Sequence, residues 1–310
     1  MKIASLQYPI RFFNHKREWQ DSILFYVEEA CKNQAHLLVF PEYGSMNLCS
    51  LIDNHSEDLA GNKKAFDASF SENSLAGQLK SLQSFLPEFR SFFSEVARKF
   101  SIYILAPSFP VADSGKYINR AFFYNPKGSE NFQDKLMMTR FENEEWKISA
   151  GDKKLKVFIT SYASIGIQIC YDSEFPFFSS LLAKNGCQII LVPSCTEGLA
   201  GATRVHISSR ARAIENQLYT VVSQTVQDCP WNLAVDKNYG YSAFYSPADF
   251  IFPNEGIISL GEPQKEALLV EELNLKKIET VRSEGQVFNF KDNQRLKENI
   301  NGYIIEKIIF

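Results

Sequence analysis

The sequence predicts an α/β fold with mixed β-sheets. Apolar, β-branched runs of strand length alternate with segments that have the 3.6-residue period of amphipathic helices, as in layered α/β proteins. Two runs, Lys156–Thr160 and Ser164–Cys170, lie close enough together to indicate an antiparallel hairpin, so the sheets should not be purely parallel. The sequence shows no low-complexity linker and no repeat. We therefore expect one domain.

Each predicted element follows from its local pattern. The first strand is expected at Lys2–Gln7, and the first helix at Trp19–Asn33, where apolar residues including Ile23 and Val27 recur at helical spacing. The polar stretch around Ser50–Leu75 is expected to be loop or short helix. The other predicted elements are, in order, strand Leu37–Phe40, helix Pro87–Phe100, strands Ile102–Ser108 and Ala121–Asn125, the hairpin, helix Phe175–Ala183, strand Ile189–Pro193, helix Arg204–Asn216, strand Leu218–Thr225, and strands Ala243–Ser246 and Glu266–Glu272.

Composition excludes several classes of function. The formal net charge is −3, so the chain has no basic surplus with which to neutralise nucleic-acid phosphates or an acidic membrane. The first residues lack the apolar core of a signal peptide, and no apolar run has the length of a membrane span. The six cysteines are scattered without a CxxC pair, which is typical of a reducing compartment. We expect a cytoplasmic protein.

Four residues near the ends of apolar runs carry the chemical signal: Glu42, Lys135, Glu142 and Cys170. Two carboxylates, an amine and a thiol are the parts of an activated-cysteine hydrolase. A cysteine–histidine enzyme is disfavoured, because none of the four histidines lies in a comparable motif of potential catalytic residues. The four are His15, His36, His55 and His206.

Cys170 is the candidate nucleophile. It follows an apolar strand and precedes a turn and a helix, which places it where the free N–H groups of a helix N-terminus favour a thiolate and hold a developing oxyanion. Asp172 or Ser173 is expected to cap that helix. The alternative is a buried structural cysteine, the usual role of a cysteine in an apolar strand.

Glu42 and Lys135 are the candidate general base and fixed cation. A partly desolvated carboxylate beside a thiol has a raised pKa and is able to take its proton, and an ammonium donates to a tetrahedral intermediate. For each residue, including Glu142, the alternative is an ordinary charged side chain on the surface.

The chain resembles the nitrilase superfamily of carbon–nitrogen hydrolases over about residues 1–290, leaving 291–310 as a tail. The motifs that carry the resemblance are Phe40-Pro41-Glu42, Asp134-Lys135, and Ile169-Cys170-Tyr171-Asp172 with the later Phe175-Pro176. The resemblance implies a four-layer αββα sandwich, a homodimer or higher homo-oligomer, and no metal or organic cofactor. It also implies a thioester on Cys170, with Glu42 as base then acid, Lys135 and the Tyr171 N–H as oxyanion site, and Glu142 as positioning residue.

The second glutamate of the family motif has two candidates. The family spacing from Lys135 selects Glu142, and Trp146 resembles a tryptophan that follows this glutamate in one branch of the family. Counting back from Cys170 instead allows Glu145 or its neighbour Glu144. We prefer Glu142, with Glu145 second.

Substrate contacts are expected from Tyr171, Glu145, Glu197 and Arg204. The helix containing Arg204 resembles the family's Arg-Ala-Xaa-Glu-Asn helix, whose arginines either bind a substrate carboxylate or, more often, support the fold. Cys195 follows the next strand and is expected to be a wall residue rather than catalytic.

The leading hypothesis is a hydrolase of a small amide or N-carbamoyl compound, with a nitrile as the close alternative. A different class remains open, a catalytically silent dimeric interaction protein on the same fold. Selective labelling of Cys170 by a thiol reagent would separate the enzyme from the silent protein.

Overall fold

The computed structural model describes residues 1–52, 74–299, 302 and 304–309. In these ranges strands and helices alternate as predicted. The strands are β1 (Lys2–Pro9), β2 (Leu37–Val39), β3 (Tyr103–Leu105), β4 (Phe109–Asp113), β5 (Lys116–Tyr124), β6 (Glu130–Asp134), β7 (Ile148–Ser149), β8 (Val157–Ile159), β9 (Ser164–Ile167), β10 (Ile189–Ser194), β11 (Tyr219–Val226), β12 (Ala243–Tyr245), β13 (Ile257–Leu260) and β14 (Ala267–Glu272). The α-helices are α1 (Lys16–Lys32), α2 (Leu75–Leu82), α3 (Leu86–Phe100), α4 (Arg140–Glu144), α5 (Pro176–Lys184), α6 (Leu199–Asn216), α7 (Leu275–Glu284) and α8 (Asn289–Glu298).

The strands form two mixed sheets that join at one point. The first has the order β4-β5-β3-β2-β1, with β6 and β7 on β5 and β14 on β1. The second has the order β11-β10-β9-β8, with β12 and β13 on the side of β11. Hydrogen bonding continues between them because the end of β1 pairs in parallel with the end of β11, Gln7 opposite Gln224. The pair β8–β9 is antiparallel, which confirms the predicted hairpin.

Successive side chains of the central strands face opposite sides of the sheet, and this alternation creates the layers. Ala4 and Leu38 pack with α1 and α3 in one hydrophobic cluster. Their neighbours Ile3 and Leu37 belong to a second cluster, which also contains residues of β9 to β11 and of helices α5, α6 and α7. Because successive strand residues face opposite sides, the first sheet lies between a helical layer and the second sheet. This arrangement confirms the four-layer αββα sandwich.

The polar first half of one strand and the whole of a second, polar strand were not predicted. Strand β5 begins at Lys116, before the apolar run at Ala121, and β6 has the polar sequence ENFQD. Strands β4 and β13 and helices α7 and α8 were also not predicted. Helix α6 begins at Leu199 rather than Arg204, since glycines near its start weaken the helical pattern.

Most of the expected loop around Ser50–Leu75 lies outside the described residues; before it, Gly44–Leu51 forms a 3₁₀ helix. In the predicted tail, residues 304–309 are exposed, including four isoleucines: Ile304, Ile305, Ile308 and Ile309. Among the described residues, no helix has the length and apolarity needed to cross a bilayer.

Candidate active site

The four residues singled out from the sequence meet at one place. Glu42 follows β2, Lys135 follows β6, Glu142 lies in α4, and Cys170 follows β9. Lys135 Nζ donates to Glu42 Oε1 at 2.7 Å and to Glu142 Oε2 at 2.6 Å. The Cys170 thiol lies beside the Glu42 carboxylate and donates to the Cys195 carbonyl oxygen at 3.7 Å. All four side chains are buried, so they interact in a medium that screens charge weakly.

The backbone is strained where the nucleophile and the base are presented. Cys170 has φ 49° and Tyr43, directly after Glu42, has φ 54°, a left-handed conformation that non-glycine residues seldom adopt. Cys170 begins a 3₁₀ turn, Cys170–Glu174, which precedes α5. Strand, turn and helix therefore follow one another around Cys170 as the sequence predicted.

Asp172 does not cap the following helix as expected. Its buried carboxylate accepts hydrogen bonds from the backbone N–H groups of Met137 (2.8 Å), Leu136 (3.1 Å) and Ile169 (3.3 Å). It thereby ties the segment after Lys135 to the segment before Cys170. Ser173, the other expected cap, donates its hydroxyl to the Cys170 carbonyl oxygen at 2.7 Å.

Glu142, and not Glu145, contacts the lysine. Thr139 caps the N-terminus of α4 and accepts from the Glu142 N–H. Glu142 Oε2 accepts in return from the Thr139 N–H and hydroxyl, both at 3.0 Å. Tyr43 donates its hydroxyl to Glu142 Oε1 at 2.7 Å. Glu145 is exposed, at the wall of the cavity.

The two carboxylates have different environments. Burial raises the pKa of Glu42, against the attraction of Lys135 and with the repulsion of Glu142. Burial also opposes charge on Glu142, but Lys135 and the Thr139 and Tyr43 donors outweigh it and lower the pKa of that carboxyl. Burial disfavours the Lys135 ammonium, yet the attraction of Glu142 and Glu42 raises its pKa well above the ordinary value. Glu142 is therefore the fixed anion, and Glu42 is the carboxylate better suited to proton transfer.

The cysteine is held as a thiol. Burial, followed by the nearby Glu42 carboxylate, raises the pKa of Cys170 well above the ordinary value. This differs from the expectation that the helix N-terminus favours a thiolate. In this site desolvation and a carboxylate act against the charged form, so ionisation requires a base at the moment of attack.

Sequence reasoning missed two contacts to Glu42. The Asn119 side chain donates to Glu42 Oε1 at 2.9 Å, and the Cys195 backbone N–H donates to Glu42 Oε2 at 2.9 Å. Cys195 was expected to be only a wall residue, and its backbone rather than its thiol makes this contact. No local signal marked Asn119, which lies in the polar first half of β5, before the apolar run at Ala121.

A cavity of about 970 Å³ opens over the four residues. All the residues expected to contact substrate line it: Tyr171, Glu145, Glu197 and Arg204. Arg204 forms a half-exposed ion pair with Glu174 at 3.3 Å. Arg212, further along α6, is buried and donates to the Ser173 carbonyl oxygen at 3.0 Å, so this helix also supports the turn that presents Cys170.

Comparisons with known proteins find relatives named as a hydrolase and an amidase, and solved structures with the same fold. Omega-amidase NIT2 of Homo sapiens is 26% identical over 205 residues, which is 64% of this chain and 71% of that relative. The probable hydrolase YhcX of Bacillus subtilis (strain 168) is 32% identical over 295 residues, 95% of this chain, and the chain spans only 54% of that relative's length. Saccharomyces cerevisiae Nit3, described as a member of branch 10 of the nitrilase superfamily, has the same fold, with a TM-score of 0.68 at 23% identity over 91% of this chain and 93% of that one.

The family model for carbon-nitrogen hydrolases matches residues 2–283, nearly the whole chain. This confirms the resemblance on which the sequence motifs were interpreted. The chain belongs to the carbon–nitrogen hydrolase family.

Proposed function

We propose that this chain hydrolyses the carbon–nitrogen bond of a small amide through a thioester on Cys170. One observation carries the proposal: a thiol and a carboxylate suited to proton transfer lie side by side at the floor of a cavity, next to a buried ammonium. These are a nucleophile, its base and an electrostatic stabiliser, the three groups that acyl transfer requires.

The reaction starts with Glu42 and Cys170. Glu42 takes the thiol proton while Cys170 Sγ attacks the amide carbon, and the oxygen of the tetrahedral intermediate is stabilised by Lys135 Nζ and the Tyr171 N–H. Glu42 then returns the proton to the leaving nitrogen, and ammonia or an amine departs. Glu42 next deprotonates a water, which attacks the thioester; the carboxylic acid leaves and the thiol is regenerated.

Glu142 acts through Lys135 in this scheme. Its short contact with Nζ and its lowered pKa keep a negative charge beside the ammonium, so Lys135 stays charged and in place throughout the cycle. No step of the scheme draws on a metal or an organic cofactor.

An amide is the first choice of substrate because a relative is named omega-amidase. N-carbamoyl compounds and nitriles use the same residues and stay as alternatives. The Glu174 carboxylate already engages Arg204, which weakens the case for Arg204 as the residue that binds a substrate carboxylate.

We further expect a cytoplasmic homodimer. Helices α5 and α6 expose the apolar residues Phe177, Leu199 and Ile207, at 60%, 62% and 65% of their full accessible surface. Large apolar side chains exposed on these two helices support a protein contact there. Sedimentation equilibrium measures the oligomeric state directly, and a monomer at all concentrations would contradict the expected homodimer.

The test of the function is ammonia release from small amides, N-carbamoyl amino acids and nitriles. We expect release by the native chain and none by Cys170→Ala. Cys187→Ala is the matched control, because Cys187 is fully buried and lies outside the residues that line the cavity. No release from any compound, with Cys170 labelled no faster than the other cysteines, would favour the silent interaction protein.

A further inference from the structure

One residue outside the sequence motifs contacts three of the four central residues. Asn119 lies on β5 and is fully buried. Its Nδ2 donates to Glu42 Oε1 at 2.9 Å and to Glu142 Oε1 at 3.4 Å. Its backbone carbonyl oxygen accepts from the Lys135 N–H at 2.9 Å.

The chemistry of the neighbours fixes the orientation of the Asn119 amide. Ionised carboxylates only accept hydrogen bonds, so the NH₂ group must face Glu42 and Glu142. Among the described residues, the other end of the amide, Oδ1, has no hydrogen-bond partner although it is buried. A buried acceptor without a partner is unfavourable, as is an asparagine within a strand. Both penalties are explained if the Asn119 NH₂ group is needed as a donor to the two carboxylates.

We infer that Asn119 is a positioning residue, whose neutral NH₂ group holds the Glu42 and Glu142 carboxylates in place around Lys135 and directs Glu42 toward Cys170. This inference rests on the proposed function, in which Glu42 is the base. Neutrality matters, because a second cation would suppress the basicity of Glu42 and a third carboxylate would add repulsion.

Two substitutions distinguish the effect of the Asn119 hydrogen-bond donor from the effect of the side chain's volume. Asn119→Leu removes the donor at similar size, and we expect kcat to fall by about 10- to 100-fold with KM changed by less than about threefold, at every pH. Asn119→Asp keeps the shape but presents a carboxylate at neutral pH. Burial beside the Glu42 and Glu142 carboxylates should raise the pKa of the introduced carboxyl group well above its usual value of about 4, and the group becomes a donor once it is protonated. We therefore expect its activity relative to native to recover as the pH falls from about 8 to about 6.

Asn216 provides the matched control. It is buried, its Nδ2 donates to the Arg212 carbonyl oxygen at 3.0 Å, and its Oδ1 also lacks a partner among the described residues. Asn216→Leu and Asn216→Asp thus lose a comparable buried amide without touching the four central residues. We expect both to keep native kcat and the native pH profile. Should Asn119→Leu fail to fold, the isosteric Asn119→Asp carries the test.

Alkylation of Cys170 by iodoacetamide as a function of pH tests the inference without a substrate. If the native chain hydrolyses no amide, but Asn119→Asp shifts the pH profile of alkylation and Asn216→Asp does not, the proposed function fails and the positioning role stands. If the native chain is active and both Asn119 variants keep native kcat and pH profile, the positioning role is overturned. A loss of activity at Asn119 that is independent of pH and matched by the Asn216 variants also overturns it.

Discussion

Replacing Glu142 by glutamine tests the division of labour between the two glutamates. At Oε2 the side chain receives Lys135 Nζ at 2.6 Å, together with the Thr139 N–H and hydroxyl. An amide oxygen is able to occupy that position, but it carries no full charge. Charge-assisted hydrogen bonds contribute roughly 1.5–3 kcal/mol, and about 1.4 kcal/mol corresponds to a tenfold change in rate, so we expect Glu142→Gln to lower kcat by about 10- to 150-fold.

The pH profile gives the sharper result. Repulsion from Glu142 is one of the causes that raise the pKa of Glu42, so removing the Glu142 charge lowers the pKa of the base. Glu42 must be ionised to take the thiol proton. The acid limb of kcat/KM, measured by ammonia release over a pH series, should therefore move to lower pH in Glu142→Gln. Glu144→Gln is the control and should keep the native rate, because Glu144 is exposed and lies outside the residues that line the cavity. An equal loss in Glu144→Gln, or an acid limb that moves to higher pH, would refute this reasoning.

Three further predictions concern the support of the site. Burial lowers the pKa of His206 to about 4 from 6.5, so the unfolded chain binds more protons than the folded chain between these pH values. The free energy of unfolding should therefore fall by about 3 kcal/mol as the pH drops from 6.5 to 4. Urea unfolding should show a weaker fall in His206→Gln. In Gly151→Ala the new methyl carbon would lie 2.3 Å from Cβ of Asp134, the residue directly before Lys135. The resulting displacement of the Lys135 backbone should reduce kcat by tenfold or more (about 1.4 kcal/mol). The control Gly186→Ala, which has open space around the new methyl group, should lose stability but keep its kcat. In Asp172→Asn one carboxylate oxygen becomes an NH₂ group, which leaves the Met137 or the Ile169 N–H without its acceptor. Both kcat and the free energy of unfolding should fall, the latter by about 1–3 kcal/mol in urea titrations, and native values for both would show that Asp172 does not tie the two segments together.

Most of the central site residues could be predicted from the sequence, because they follow strands with a strong apolar pattern. Glu42 comes directly after the buried strand β2, and Cys170 after β9. Apolar strands are recognised from a few residues, and side chains at their ends collect at one edge of a sheet. The layers were predictable for the same reason, since alternation along β1 and β2 determines which face meets the helices.

The remaining contacts had no local signal. Asn119 meets Glu42 across 77 positions of sequence, and Tyr43 meets Glu142 across 99. Each of these polar residues has an ordinary neighbourhood in the sequence, and only the approach of β5 and α4 to the end of β2 gives it a partner. The choice between Glu142 and Glu145 was open for a related reason. Both are near Lys135 in sequence, and the capping interaction with Thr139 is what turns Glu142 inward.

Charge balance explains why a buried lysine is accompanied by two glutamates. A single Glu42–Lys135 pair would be neutral, and its attraction would make Glu42 a poor base. With Glu142 strongly bonded to the same ammonium, the three groups carry a net charge of −1 when all are ionised. That excess negative charge is concentrated on Glu42, because Glu142 has the more numerous donors. The proton of Cys170 is then transferred to a group whose charge Lys135 neutralises only in part, and Lys135 stays available for the intermediate.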